Sequence, residues 1–305
     1  MNFLRRLIPR TKVDIEEKFV LITGCDSGFG RETAVRLDKL GACVLATCLT
    51  NEGEQSLKSV GSDRLKTFQM DVTSSQQIKE VYKEVERQIP SNTGLWGLVN
   101  NAGIAYLGPV EWTPLEQFKR TADVNLWGTI DVTKTFLPLV RRARGRVVNF
   151  SSVLGRVSPT MLGSYAVTKY GVQAFSDAFR REMDPWGTKV SIVEPGGFRT
   201  EIIRGGKGER QIQEGWDDLS DELKQEYTEK GIKLFLPMRP SPHTHKVVDA
   251  VVEALTSQSP RDRYLVGLDT PIYAWLARFP AVYADVIINL LSIRIPLPPK
   301  FRENK

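Results

Sequence analysis

From residue 19 to residue 194 the chain switches repeatedly between two hydrophobic patterns. The first is a short strand-like run, at 19–23 (FVLIT), 43–49 (CVLATCL), 65–70, 95–99, 147–151 and 189–194 (KVSIVE). The run FVLIT is continuous, as expected of a strand buried on both faces of a parallel sheet. The second pattern is helical spacing. Ala34, Val35, Leu37 and Leu40 follow the first strand, and Ile78, Val81, Tyr82 and Val85 mark the core face of a helix over 75–88. Longer helices are predicted over 113–137 and from Tyr165 to about Met183. Strand alternating with helix six times implies right-handed crossovers and an α/β, doubly wound parallel sheet. A last strand over 264–267 brings the expected count to about seven.

Two stretches break the alternation. Residues 198–242 carry one apolar helical stripe, Leu219, Leu223 and Tyr227, amid many charges, and are expected to form a helical lid over a substrate pocket. Residues 269–305 form a C-terminal hydrophobic segment. Within it, 272–295 is rich in Trp275, Phe279, Tyr283, Ile287, Ile288, Leu290 and Leu291, but Arg278, Pro280 and Asp285 interrupt it. It is a poor bilayer-spanning helix, better suited to a membrane surface or the pocket mouth. Residues 1–17 form a basic tail whose start, MNFLRRLIPR, is too short and charged for a signal peptide. The organisation expected is thus a tail (1–17), one domain (18–268) containing the lid (198–242), and the segment 269–305.

The net charge of +6 does not indicate a nucleic-acid partner, because it sits at the ends. Arg5, Arg6, Arg10 and Lys12 precede the first acidic residue, Asp14, and 294–305 adds a net three more. The body between is close to neutral. Cys25, Cys43 and Cys48 lack a Cys-x2-Cys pair and read as reduced thiols of a non-secreted protein. His243 and His245 lie far from any carboxylate cluster, so no metal site is expected.

Ligands of doubly wound sheets bind at the carboxyl ends of the strands, and the chemically suggestive residues collect there. After the first strand comes TGCDSGFG (23–30), where Gly24, Gly28 and Gly30 let the backbone approach a pyrophosphate seated on the next helix N-terminus. Asp26, Ser27 and Phe29 share that loop. The second strand end, 47–51, offers no basic residue for the 2′-phosphate of NADP, and Asp26 adds an anion that would repel it. The acidic ribose ligand usual at that strand end is also missing, and NAD is preferred. Asp71 ends the third strand, to accept from an adenine amino group, to cap the following helix, or both. Asn100 has a bracing role at the fourth strand end, while Asn101, Ala102 and Gly103 lie where the cofactor ribose passes. Asn125 is a poor mid-helix residue and marks a distortion whose freed backbone groups order water. Ser152, favoured over Ser151, follows the fifth strand thirteen residues before Tyr165. Tyr165 and Lys169, four apart, share one helix face, whereas Tyr170 points elsewhere. Pro195, Gly196 and Thr200 follow the sixth strand.

Together these residues resemble the short-chain dehydrogenase/reductase family: its TGxxxGxG loop at 23–30, NNAG at 100–103, helical asparagine at Asn125, serine at Ser152, YxxxK at Tyr165 and Lys169, and PG with its downstream threonine at Pro195, Gly196 and Thr200. The segments CDSGFG, GLWGLVNNAG, VNLWGT and GRVVNFSSVLGRV are similar to the branch holding retinol, hydroxysteroid and D-β-hydroxybutyrate dehydrogenases. The resemblance implies a Rossmann-type fold and a homo-oligomeric, intracellular enzyme associated with the membrane of the endoplasmic reticulum or mitochondrion. It implies NAD-dependent interconversion of a hydrophobic secondary alcohol or retinoid and its carbonyl. Tyr165 would be the acid/base, aided by Lys169, with Ser152 orienting the substrate oxygen and Asn125 holding a water on the proton path. Bringing a phenol of pKa near 10 down to neutral pH takes about 4 kcal/mol, with Lys169 and the oxidised nicotinamide as sources. One alternative is a D-3-hydroxybutyrate dehydrogenase, which needs a cation such as Arg156 or Arg199. The non-enzyme alternative is a scaffold that binds the dinucleotide without turnover.

Overall fold

Seven strands build one sheet: β1 (Phe19–Ile22), β2 (Cys43–Cys48), β3 (Leu65–Gln69), β4 (Leu95–Asn100), β5 (Arg146–Phe150), β6 (Lys189–Pro195) and β7 (Arg263–Val266). In this computed structural model the order is β3-β2-β1-β4-β5-β6-β7 and every pairing is parallel. The structure describes residues 11–200, 207–227, 240–268 and 270–291. The segment MNFLRRLIPR, the lid portions 201–206 and 228–239, and the end of the C-terminal stretch from 292 lie outside the described residues.

Alternation along each strand explains the layers. Val20 and Ile22 of β1 join the core against α1 (Gly28–Lys39) and a helix late in the chain, while Leu21 between them joins the core on the other face. That other face is covered by α3 (Ser75–Gln88) and, further on, by α5 (Thr129–Arg142) and α6 (Gly163–Met183). α2 (Asn51–Lys58) packs on β2 and β3. A fully buried aliphatic side chain contributes roughly 1.5–3 kcal/mol, so a sheet apolar on both faces is stable only between two helical layers. The order in which strands are added reverses at β1, whose neighbours are β2 and β4, and this opens a crevice at their carboxyl ends.

The long helix expected over 113–137 is interrupted. α4 (Leu115–Ala122) runs into a π-helical turn, Asp123–Gly128, before α5 begins. The distortion expected at Asn125 is therefore present, but the freed Asn125 carbonyl accepts from the Thr129 hydroxyl at 2.9 Å. α6 begins at Gly163, two residues before Tyr165.

Beyond β6, α7 (Lys207–Asp217) and α8 (Asp221–Tyr227) form a satellite apolar cluster: Ile212 with Trp112 and Met161, and around them Leu107, Trp216, Leu219 and Tyr227. α9 (His245–Thr256) returns to the sheet beside α1. Residues 11–15 lie against its end, with Val13 N donating to the Thr256 carbonyl and Ile15 buried. The C-terminal hydrophobic stretch is two short helices, α10 (Thr270–Leu276) and α11 (Ala281–Leu291), separated at Pro280. Among the described residues no helix is long and apolar enough to cross a membrane.

Candidate active site

The loops after β1 and β4 are tied to each other by side chains at the strand ends. The Thr23 hydroxyl accepts from the backbone N–H groups of Asn101 and Ala102, both at 3.0 Å. Asn101 Nδ2 donates to the Thr23 carbonyl at 2.8 Å and the Gly24 carbonyl at 3.0 Å. Gly24 has φ +69°, and a Cβ there would lie 2.8 Å from Ala102 Cα; a Cβ on Gly30 would lie 2.3 Å from the Gly24 carbonyl oxygen. Only glycine fits either place. Ser27 stands at the α1 N-cap without a side-chain capping bond, which leaves the first-turn N–H groups of α1 for a ligand. Gly28 opens α1 beside Thr200, so the loop after β6 closes over the glycine loop. The Phe29 ring turns inward, stacking on Phe150 at 6.0 Å and meeting Phe198 edge-on at 5.9 Å.

The end of β2 is where the structure most changes the picture. Asp26 reaches across from the glycine loop and accepts from Leu49 N and Thr50 N, each at 2.9 Å, and from the Thr50 hydroxyl at 2.8 Å. An acidic group absent from the strand in sequence is thus delivered there in space. The next turn is shaped around it: a Cβ on Gly53 would lie 2.5 Å from Asp26 Oδ1. Arg31 brings a cation to the same neighbourhood, but its guanidinium donates to the Ser56 carbonyl at 3.0 Å. Asp71 does not cap α3. Its Oδ1 accepts from Thr73 N at 2.9 Å and the Thr73 hydroxyl at 2.8 Å, while Ser74 is the helix cap, accepting from Gln77 N at 3.3 Å.

Asn100 is spent within the fold, donating at 2.8 Å to Thr133 Oγ1 and to Asn149 Oδ1. Asn149 in turn donates to Ser176, a buried ladder joining β4, β5 and α6. Gly103 lies beside the catalytic candidates: a Cβ there would be 3.2 Å from Asn125 Oδ1 and 3.7 Å from Lys169 Nζ. The Asn125 side chain, raised on the π turn, grips Ile104 by both backbone groups, accepting from its N–H at 2.8 Å and donating to its carbonyl at 2.9 Å. Asn125 Nδ2 also donates to Thr168 Oγ1 at 3.0 Å.

Ser152, Tyr165 and Lys169 meet at the end of β5. Ser152 Oγ donates to the Pro195 carbonyl at 3.3 Å and accepts from Leu154 N at 3.1 Å, and its hydroxyl is near enough to the Tyr165 phenol to favour the phenolate. Ser151 is used differently, donating to the Lys169 carbonyl at 3.0 Å, and Tyr170 is exposed on another side of α6. Lys169, 4% exposed, donates from Nζ to the Phe150 carbonyl at 2.9 Å and stands 5.4 Å from the Tyr165 ring centre. Burial pushes the Lys169 ammonium down to about 8. Part of Tyr165 remains accessible from the cleft, yet the protein mass around it pushes its phenol up to about 12, opposed by the Ser152 hydroxyl. The protein alone therefore does not produce a phenolate at neutral pH.

Gly196 N donates to the Val266 carbonyl at 2.8 Å, anchoring the Pro195–Gly196 turn on β7. Beneath it lies a network that sequence reading missed. Glu194, fully buried, pairs with Arg156 and with Arg263 at 3.0 Å. Arg263 also bonds Gln173 Oε1 at 2.7 Å and Asp177 at 2.6 Å, and Gln173 Nε2 reaches the Ser152 carbonyl at 3.4 Å. Arg156 is thereby committed to an internal carboxylate. The only hint in the sequence was a glutamate following the apolar pair Ile192–Val193 in a central strand, which needs a buried cation as partner.

Comparison with known proteins agrees with the geometry. The family model for short chain dehydrogenases matches residues 18–209. Rat (Rattus norvegicus) retinol dehydrogenase 16 is 44% identical over 98% of this chain and 96% of its own length. Short-chain dehydrogenase/reductase family 9C member 7 of Mus musculus is 43% identical, over 90% of each chain. A short-chain dehydrogenase structure from Streptomyces avermitilis superposes with TM-score 0.71 at 26% identity, covering 90% of this chain and 96% of that one. A glycine cradle at β1, an asparagine turn at β4 and a Ser–Tyr–Lys cluster at β5 converge on one crevice, and the chain that builds them belongs to the short-chain dehydrogenase family.

Proposed function

We propose that this chain is an NAD-dependent oxidoreductase that interconverts the alcohol of a hydrophobic substrate, a retinol or a hydroxysteroid, and its carbonyl. The observation that carries the reaction is the convergence at the sheet's carboxyl edge of buried Ser152, whose Oγ is fixed on the Pro195 carbonyl, with Tyr165 and buried Lys169, whose Nζ stands 5.4 Å from the Tyr165 ring. The family uses a nicotinamide dinucleotide, and the residues here fit one: Gly24 and Gly30 allow a turn packed so closely on the β4 loop that no Cβ would be tolerated, and it leads into an uncapped helix start. Bound there, the dinucleotide supplies the hydride acceptor.

In oxidation, Tyr165 Oη takes the proton of the substrate hydroxyl, and in reduction it returns it. Ser152 Oγ, fixed on the Pro195 carbonyl beside Tyr165, orients the substrate oxygen and stabilises charge developing on it. Lys169 and Asn125, on either side of Gly103, line the proton route away from Tyr165. Bringing the Tyr165 phenol from about 12 to neutral pH requires on the order of 7 kcal/mol. That figure is an upper one, because the cleft leaves part of the ring accessible to solvent. The positive charge of an oxidised nicotinamide, added to that of Lys169, is the source.

A hydrophobic substrate is favoured over a hydroxy acid by two features. Arg156, one cation a carboxylate could have used, is held by Glu194. The walls toward α7 and α8 are apolar and aromatic, with Trp112 beside Trp216 and Tyr227 at 5.7 and 4.9 Å. The relatives named retinol dehydrogenases match nearly end to end, which supports the same class. NAD is preferred over NADP because the Asp26 carboxylate stands where a 2′-phosphate would sit. α10 lies against the turn after Ser152 and β7, and its exposed Ile272 and Trp275 continue into Val282 and Val286 of α11. This face suits contact with a membrane surface that holds the substrate.

The test is oxidation of retinol and of a panel of hydroxysteroids and 3-hydroxybutyrate with NAD, followed by NADH absorbance, for wild type and Tyr165→Phe. Wild-type turnover of a hydrophobic alcohol, lost in the variant while NADH binding persists, is the expected result. Dinucleotide binding without turnover of any alcohol would support the scaffold reading instead. A lower Kd for NADP(H) than for NAD(H) would overturn the cofactor assignment.

A further inference from the structure

Residues 104–107 leave the end of β4 and pass between the catalytic candidates and the lid, and five of their eight backbone polar groups are held by side chains. Ile104 is bonded through both its N–H and its carbonyl to Asn125, at 2.8 and 2.9 Å. The Tyr106 carbonyl accepts from the hydroxyl of Ser164, the neighbour of Tyr165, at 3.2 Å. The alternate residues, Ala105 and Leu107, bond the other way. The Ala105 carbonyl accepts from Gln211 Nε2 at 3.4 Å, and Leu107 N donates to Gln211 Oε1 at 3.1 Å. The alternation is that of a strand flanked on both sides, with two primary amides acting as its neighbours. Asn125 and Ser164 belong to the α4–α5 junction and α6; Gln211 belongs to α7 of the lid.

We infer that Gln211 is a positioning residue that couples seating of the lid helix α7 to the placement of Asn125 and Tyr165. The inference rests on the oxidoreductase reading above and adds a residue to it. A primary amide is the group that can both donate to the Ala105 carbonyl and accept from Leu107 N. With α7 seated, 104–107 is fixed on both sides, and Ile104 and Tyr106 hold Asn125 and the start of α6. With α7 lifted, one side of the segment loses its partners and the catalytic groups lose a wall. The same helix is seated by apolar contacts, Ile212 on Trp112 and Met161. Turnover would therefore be matched to closure.

The experiment uses the full chain with Gln211→Met, which keeps the bulk and removes both bonds, and Gln211→Glu, which keeps only the acceptor. Gln213→Met is the control, since Gln213 bonds Asp217 on the exposed side of α7 and does not reach 104–107. The expected result is a fall in kcat of roughly five- to tenfold for Gln211→Met, a smaller fall for Gln211→Glu, unchanged Kd for NADH, and no change for Gln213→Met. Residue-resolved hydrogen exchange provides a readout independent of turnover: the Ile104 amide, whose own partner Asn125 is intact, should exchange faster in Gln211→Met. A rise in KM alone, or a lower kcat with Ile104 still fully protected, would overturn the coupling. If wild type turns over no alcohol, the oxidoreductase reading fails, and exchange at Ile104 alone decides whether Gln211 braces the segment.

Discussion

Replacing Lys169 by Met tests whether burial, rather than a paired charge, sets the chemistry of the lysine. In the folded protein its ammonium is 4% exposed and its pKa is lowered from the ordinary 10.5 to about 8, with burial as the cause and no carboxylate opposing it. Below pH 8 both folded and unfolded chains carry the proton, and the folded state bears the full cost of the buried charge. Between pH 8 and 10.5 the unfolded chain binds more protons, so stability rises with pH. Above 10.5 the amine is neutral in both states and the penalty is gone. The gap corresponds to roughly 3 kcal/mol. Lys169→Met also loses the bond to the Phe150 carbonyl, but that loss changes little with pH. The thiols and other phenols titrating in this window are common to both proteins and cancel in the difference. Urea unfolding of the dinucleotide-free protein from pH 7 to 10.5 should show wild type gaining about 3 kcal/mol on the variant as pH rises. A difference constant to within about 0.5 kcal/mol across that range would refute the reasoning and mean that Lys169 carries a compensated charge.

Three other outcomes follow from named contacts. Gly53→Ala places a Cβ 2.5 Å from Asp26 Oδ1, so it should cost about 1–3 kcal/mol and weaken NAD binding more than it alters kcat; calorimetric titration giving wild-type affinity would show that Asp26 has no part in the adenosine site. Glu194→Gln leaves Arg156 and Arg263 without their shared carboxylate and should cost about 3 kcal/mol in urea unfolding; a loss below about 1 kcal/mol would class the pair with surface bridges. Trp275→Glu together with Val282→Glu, at side chains 53% and 73% exposed, should reduce co-sedimentation with phosphatidylcholine–phosphatidylserine vesicles without altering NADH affinity; unchanged sedimentation would remove α10 and α11 from the membrane contact.

Much of the fold is legible in the sequence because its signals are local. A strand such as FVLI, buried on both faces, and a helix such as α3, with Ile78, Val81 and Val85 on one side, each declare their layer within a few residues. The site inherits that legibility, since a doubly wound sheet must deliver the ends of β1, β4, β5 and β6 to one edge. Asn125 was readable for the same reason: an asparagine inside a helical pattern predicts a break, and the π turn is that break. The C-terminal segment was readable as interrupted, with Pro280 setting the junction between α10 and α11.

What escaped the sequence is pairing across the chain. The end of β2 carries no acidic residue of its own, yet Asp26, expected from the glycine loop to act as an anion near a 2′-phosphate, reaches it from more than twenty positions away. Asp71, which does lie at a strand end, is drawn into a turn with Thr73, while Ser74, immediately before α3, caps the helix. Arg156 looked available for a substrate carboxylate until the fold set Glu194 against it, and a buried carboxylate outcompetes any soluble anion because leaving it unpaired would cost several kcal/mol. The same reasoning bears on Gln211. An amide side chain on a charged, exposed-looking helix carries no sequence signal of its own. Its importance follows from the backbone of 105–107, whose polar groups need partners once α7 covers them. Catalytic groups are read from what their own side chains can do. The residues that hold them are found only by asking which backbone atoms would otherwise go unpaired.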